Sequence, residues 1–152
     1  MTTIQKQIEV DMPVSSVYNQ WTQFEEFPRF MEGVLEVQQL DDDRLFWRAE
    51  AAGVTKEWYA RIARQIPNRM VSWFSEAGVD TGGEVTFRPI GEGRTEVTLN
   101  MSYEPEDIVE SVGDKLGFLS RRVEGDLKRF KEFIELRGEE TGAWRGTIRN
   151  LS

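Results

Sequence analysis

Beyond Pro105 the apolar residues stop recurring at every second position and begin to recur at every third or fourth. Val112, Leu116, Leu119, Val123, Leu127, Phe130 and Ile134 form one stripe, while Arg121, Arg122, Asp126, Lys128, Arg129, Glu132 and Glu135 cover the rest. The pattern predicts one amphipathic helix of about 20 residues or more, ended by Gly138. Gly113 and Gly117 can separate its first part from its second, because a mid-helix glycine costs about 1 kcal/mol relative to alanine. A helix with a single apolar stripe needs a matching surface, and the preceding hundred or so residues supply it as a sheet.

Thr3–Val10 alternates, with Ile4, Ile8 and Val10 on one face and Gln5, Gln7 and Glu9 on the other. Lys6 breaks the apolar face; snorkelling at a sheet edge explains it more cheaply than a ligand contact. Pro13 suits a helix start, and Val14, Val17, Tyr18 and Trp21 follow at helical spacing. Phe24–Met31 reads as a second short helical piece that Pro28 opens or breaks, closed by Gly33. Six strands are then predicted, at about Val34–Leu40, Arg44–Ala52, Val54–Ile66, Met70–Glu76, Gly83–Ile90 and Thr95–Tyr103. Turn signals separate them at Asp41–Asp43, Gly53, Pro67-Asn68, Gly82-Gly83 and Gly91–Gly93. The expected fold is α+β: about seven antiparallel strands wrapped around the long C-terminal helix, with two short helices after the first strand closing one end. The domain is expected over 1–138. Residues 139–152, with Trp144, are expected to form a partly mobile tail.

Composition narrows the chemistry. The chain has 152 residues, no cysteine and no histidine. Disulfides, thiolate metal sites, cysteine nucleophiles and histidine-based triads are therefore excluded. Asp+Glu is 27 against Lys+Arg 19, a net charge of −8, the wrong sign for a phosphate-backbone binder. No nucleic-acid partner and no stable membrane insertion are expected. The first residues carry no apolar signal segment, so a cytoplasmic location is the default expectation. Asp41–Asp43 reads as a solvated turn, since the spaced ligands of a calcium loop are missing. Gly91–Gly93 reads as a hairpin turn, and no phosphate-binding motif precedes a helix. No metal and no cofactor is predicted.

The strand aromatics are the candidate site. Trp47, Trp58, Trp73, Phe87 and Tyr103, with Met101, fall on predicted inward faces and can form a cavity wall or an ordinary core. The Tyr103 hydroxyl ends the most regular inward face. It can meet a ligand or bond a carbonyl near Pro105. As the one catalytic candidate, Tyr103 would supply a proton. Phe24, Phe27, Phe30 and Met31 form the expected lid over the cavity, or else cap the core. Arg48, Glu57 and Arg61 face outward as cross-strand charge pairs. No Asp or Glu falls on an inward strand face.

Several stretches carry a resemblance beyond this reading. They are Phe24-Glu-Glu-Phe-Pro-Arg-Phe-Met-Glu-Gly-Val34, Lys56-Glu-Trp-Tyr-Ala-Arg-Ile62, Pro67-Asn-Arg-Met-Val-Ser-Trp73 and Gly83-Glu-Val-Thr-Phe87, followed by Thr95-Glu-Val-Thr-Leu-Asn-Met-Ser-Tyr103 and Val123-Glu-Gly-Asp-Leu-Lys-Arg-Phe-Lys131. In order and spacing they resemble the START-like, helix-grip superfamily over about residues 2–137. Within it, they are similar to the polyketide cyclase/dehydrase-like and coenzyme Q-binding START proteins. The resemblance implies a hydrophobic cavity between sheet and helix that holds a lipid, quinone or polyketide-like molecule. The expected function is non-catalytic binding of such a hydrophobic or amphipathic molecule. The alternatives are a cyclase or aromatase acting on a polyketide-like chain, and a protein-interaction module with a vestigial cavity. An inward Asp, Glu or Arg favours the enzyme, and a wholly apolar cavity favours the carrier.

Overall fold

The computed structural model describes residues 2–51, 53–78, 80–103 and 115–149. Strand β1 (Thr2–Val10) leads into helix α1 (Val14–Trp21) and a 3₁₀ helix (Phe24–Arg29). Six strands follow: β2 (Val34–Asp41), β3 (Arg44–Ala51), β4 (Val54–Ile66), β5 (Met70–Gly78), β6 (Thr81–Gly91) and β7 (Arg94–Tyr103). The long helix α2 (Lys115–Arg137) and the two-residue strand β8 (Ile148–Arg149) come last. The sheet runs β1-β7-β6-β5-β4-β3-β2, all antiparallel, with β8 pairing β4 off this path. This is the helix-grip arrangement. Among the described residues, no helix is long and apolar enough to cross a membrane.

The apolar stripe of α2 decides the packing. Leu119, Val123, Leu127, Phe130 and Ile134 are all buried, and the helix runs along β1. Phe130 sits edge-on to Trp21 of α1, with ring centroids 5.1 Å apart, and to Phe30, at 5.3 Å. The helix, α1 and the 3₁₀ segment thus share one aromatic core. Gly138 ends α2 at φ +74°, a left-handed conformation that glycine takes without steric cost, and its N–H reaches the Ile134 carbonyl at 3.0 Å. Val112 and Gly113 of the predicted helix lie outside the described residues, as do the side chain of Leu116, Ala52 and the backbone near Pro105. Lys6 sits on the edge strand β1, with its ammonium 3.7 Å from Glu124 of α2. On the outer side of the sheet, Arg48 pairs with Glu36 at 3.1 Å, and Arg61 lies 3.7 Å from Asp43 and 3.6 Å from Glu76.

Two sequence expectations change. Gly82 and Gly83 are not a turn; they lie inside β6. Residues 139–149 are not a loose tail. Gln20 and Thr141 exchange two hydrogen bonds, of 3.0 and 2.9 Å, and Thr22 Oγ1 accepts from the Trp144 N–H at 3.1 Å. Asn19 donates to Glu140 at 2.8 Å and accepts from Arg145, whose guanidinium also donates to Asn68 at 2.9 Å. Ile148 is buried in the core cluster beside its β4 pairing. Asn19, Gln20 and Thr22 are buried polar residues of the α1 region, and this segment satisfies them.

The stripe yields a direct test. Leu127 is 2% exposed, so Leu127→Ala should cost about 2–5 kcal/mol in urea melts. A loss below about 0.5 kcal/mol is what an exposed position gives and would mean that the stripe does not carry the core.

Candidate functional site

Toward one end of the interface the sheet and α2 do not close on each other, leaving a cavity of about 120 Å³. Its apolar wall comes from Trp21, Phe27, Trp47, Trp58, Trp73, Leu99 and Met101, with Met31, Val34, Ala49, Ala51, Leu119 and Val123. Glu32, Glu50, Lys56, Thr81, Tyr103, Arg122 and Asp126 also line it.

Strand register sets this wall. Trp73 pairs with Gly83, which pairs with Met101, so one row crosses β5, β6 and β7. A Cβ on Gly83 would lie 2.6 Å from Trp73 Cζ2 and 2.9 Å from Met101 Sδ. The missing side chain is therefore what lets the indole and the thioether meet over the sheet, a close approach that marks glycine within a strand. Further along the sheet, Trp47 of β3 pairs with Trp58 of β4, and their rings stack nearly parallel, 3° apart in tilt with centroids at 5.9 Å. The indole N–H groups of Trp21 and Trp47 are buried without a hydrogen-bond partner among the described residues.

Of the candidate wall residues, the structure brings Trp47, Trp58, Trp73, Met101 and Tyr103 together around the cavity. Phe87 does not line it. Its ring sits 5.5 Å from Tyr18 and 6.3 Å from Trp21, in the core under α1, because α1 packs on this end of β6. The expected lid also divides. Phe27 and Met31 reach the cavity, but Phe24 and Phe30 are buried in an edge-to-face chain through Phe27, so these two rings hold the core rather than cover an opening.

The polar edge is what the sequence reading missed. In the sequence, Arg122, Asp126 and Arg129 belong to the charged residues that cover the helix outside its apolar stripe. At spacings of four and three they instead form a stripe beside the apolar one, turned toward the 30–33 segment. Asp126 Oδ1 accepts from the Glu32 N–H at 2.9 Å and from Arg129 Nη2 at 2.5 Å. Arg129 Nε donates to the Phe30 carbonyl at 2.9 Å. Arg122 Nη1 donates to the carbonyls of Glu32 and Glu50 at 3.0 and 3.1 Å. The available signal was position: each of these residues precedes a stripe residue (Val123, Leu127, Phe130) by one, at the border of the buried face.

Burial dominates the electrostatics here. It raises the Asp126 carboxyl to about 6, against the lowering effect of its hydrogen bonds and of the Arg129 and Arg122 charges. Burial also pushes the Tyr103 hydroxyl well above the usual phenol range; the Asp126 charge adds to this and Arg122 offsets part of it. The site therefore combines an apolar chamber with one polar border, where a carboxyl near neutrality and a protonated phenol share a wall.

The sequence profile described as polyketide cyclase/dehydrase and lipid transport matches residues 10–132. The chain is 47% identical over 149 residues to an uncharacterized 17.2 kDa protein of Streptomyces lincolnensis, covering 97% of this chain and 99% of that one. Among solved structures it is similar to the Zhui aromatase/cyclase of Streptomyces sp. R1128 (TM-score 0.74, 15% identity, 94% of this chain and 99% of that one). It is also similar to a START superfamily protein of Mycobacterium smegmatis (TM-score 0.69, 14% identity, 89% and 95%). At these identities the two structures share the fold with this chain.

The raised carboxyl has a measurable consequence. An unfolded Asp126 loses its proton near pH 4, and the folded one near pH 6. Between these values the native state holds a proton that the unfolded state has released, so stability falls as pH rises. The side chain is 13% exposed, so solvent screening is small. Urea melts at pH 4, 5, 6 and 7 should show wild type losing about 2 kcal/mol relative to Asp126→Asn across this window. A pH-independent difference would mean that the carboxyl titrates normally.

Proposed function

Because this chain belongs to the polyketide cyclase/dehydrase and lipid transport family of START-like helix-grip proteins, we propose that it binds a hydrophobic or amphipathic small molecule in the cavity between sheet and α2 without transforming it. The observation that carries this reading is the wall itself. Trp21, Trp47, Trp58 and Trp73 converge with Phe27, Leu99 and Met101 on an unfilled space. Close packing normally leaves few voids larger than a water molecule, and concave apolar chambers with a few placed polar groups are what small-molecule sites look like. Lipids, quinones and polyketide-like molecules combine an apolar body with oxygen acceptors.

A second reading, a cyclase- or aromatase-type enzyme, is favoured by one observation: Asp126 and Arg122 line the cavity beside Tyr103. A carboxyl near 6 is suited to proton transfer at neutral pH. Against this, both Asp126 and Arg122 spend their hydrogen bonds on the protein's own backbone and on Arg129. That leaves Tyr103 as the candidate proton donor.

Two measurements test these readings. The first is a thermal-shift panel of quinones, fatty acids, isoprenoids and aromatic polyketides. A ligand at about 100 times its dissociation constant adds about 2.7 kcal/mol, which in a domain of this size raises Tm by roughly 5–10 °C. A panel without any shift would count heavily against the binding reading. The second is Tyr103→Phe, assayed with whichever ligand the panel finds. In a carrier the loss is at most one neutral hydrogen bond, about tenfold in affinity or less. In an enzyme turnover should drop by about 10²–10⁴-fold with binding retained, and that outcome would replace the carrier by the cyclase.

A further inference from the structure

The cavity is smaller than what it is built to resemble. Pockets that hold drug-sized ligands run to roughly 300–1,000 Å³, and a cavity of about 150 Å³ takes a molecule the size of benzene. At about 120 Å³, this chamber is smaller still, so any larger ligand requires a wall to move. Most walls cannot move cheaply. The sheet side is a continuous antiparallel ladder from β3 to β7. The stripe of α2 is buried along its length, from Leu119 to Ile134.

One wall is held differently. Met31, Glu32 and Gly33, between the 3₁₀ helix and β2, all line the cavity. They precede the first β2–β3 pair, Val34 with Ala49, and are joined to β3 by the Glu50 N–H donating to the Gly33 carbonyl at 2.6 Å. Within the segment the Met31 N–H bonds the Phe27 carbonyl at 2.8 Å and its carbonyl accepts from Val34 at 3.2 Å, and three side chains of α2 grip the segment from across the cavity mouth. Arg129 holds the Phe30 carbonyl, Asp126 holds the Glu32 N–H, and Arg122 ties the Glu32 carbonyl to that of Glu50. Around this latch the Glu32 carboxylate lies 3.7 Å from Arg129 and 3.8 Å from Arg122. Gly33 sits at φ +86°, where a Cβ would come within 2.5 Å of the Glu50 carbonyl and closer still to Arg122. The guanidinium can press against the chain at this point because Gly33 has no side chain.

We propose that Met31–Gly33 is the gate of the cavity, latched shut by Arg122, Asp126 and Arg129, and that ligand exchange proceeds by releasing these side chains. The inference rests on the ligand-binding reading for its purpose. The latch itself can be tested without any ligand.

The probe is N-phenyl-1-naphthylamine, an uncharged two-ring-system fluorophore whose binding is followed through the cavity tryptophans by stopped flow. Arg129→Gln removes the bonds to the Phe30 carbonyl and to Asp126. The association and dissociation rates should both rise by about tenfold or more, the scale of one hydrogen bond to a charged group. The equilibrium affinity should stay within about threefold, since a gate changes both rates together. Unchanged rates, or a change in dissociation alone, would overturn the proposal; the latter is the mark of a ligand contact. Arg122→Gln should act in the same direction and serves if Arg129→Gln does not fold.

Amide hydrogen exchange supplies the ligand-free arm. In either variant the Glu32 and Glu50 amides should exchange about tenfold faster or more, while the Val97 and Leu99 amides of β7 stay protected. Equal protection at Glu32 in wild type and variant would sink the gate even if the probe binds. Failure of the probe to bind, with accelerated exchange at Glu32, would instead count against the binding reading and leave the gate standing.

Discussion

One helix face against one sheet face holds this molecule together. Val123, Leu127, Phe130 and Ile134 are each 3% exposed or less. Truncating any one of them removes transfer free energy and opens a hole that a close-packed interior fills poorly. The short helices depend on the same contact. Trp21 and Phe30 pack edge-on to Phe130, so α1 and the 3₁₀ segment are positioned by α2 as much as by the chain that joins them.

That contact also makes the cavity. Antiparallel sheets twist, so a sheet face and a helix need not stay in contact along their whole length. Where the two diverge, the side chains facing the gap are large and stiff. The indoles of Trp47 and Trp58 brace each other in a stack, and Trp73 leans over the bare backbone of Gly83. Rings held in this way do not collapse into the void. An apolar space is therefore kept open at a cost in packing that the rest of the core must offset.

The polar border follows a different logic. Asp126 and Arg122 are costly to bury, and each is compensated by hydrogen bonds to backbone groups and, for Asp126, to Arg129. What they hold is a turn of chain with a single backbone bond to β3. A hydrogen-bonded polar cluster of this kind fixes one arrangement of the segment it grips. The same bonds can be exchanged for water if that segment swings out. The border is thus rigid when closed and able to open, which the apolar wall is not.

Much of the fold was legible in the sequence because its periods are local. Alternation located the strands to within about two residues, and the step of three and four located α2. The inward aromatics Trp47, Trp58 and Trp73 were visible for the same reason. What was misread depends on partners far along the chain. Gly82-Gly83 has the composition of a turn. Only the neighbours Trp73 and Met101, on two other strands, explain a glycine within β6. Arg122, Asp126 and Arg129 look like an ordinary solvated face until the 30–33 segment is laid against them. Asn19, Gln20 and Thr22 seem misplaced on a buried helix until residues 140–144 return to bond them. Phe87 was expected on the cavity wall by its parity, and parity assigns a face, not a place along it. The sequence by itself determined which residues are strand, helix, inward and outward, since those follow from repeats of two and 3.6 residues. Only the tertiary structure decided where the inner face is filled and where it is left hollow, and which charges are drawn in from solvent, because these depend on register, twist and contacts between residues about a hundred positions apart.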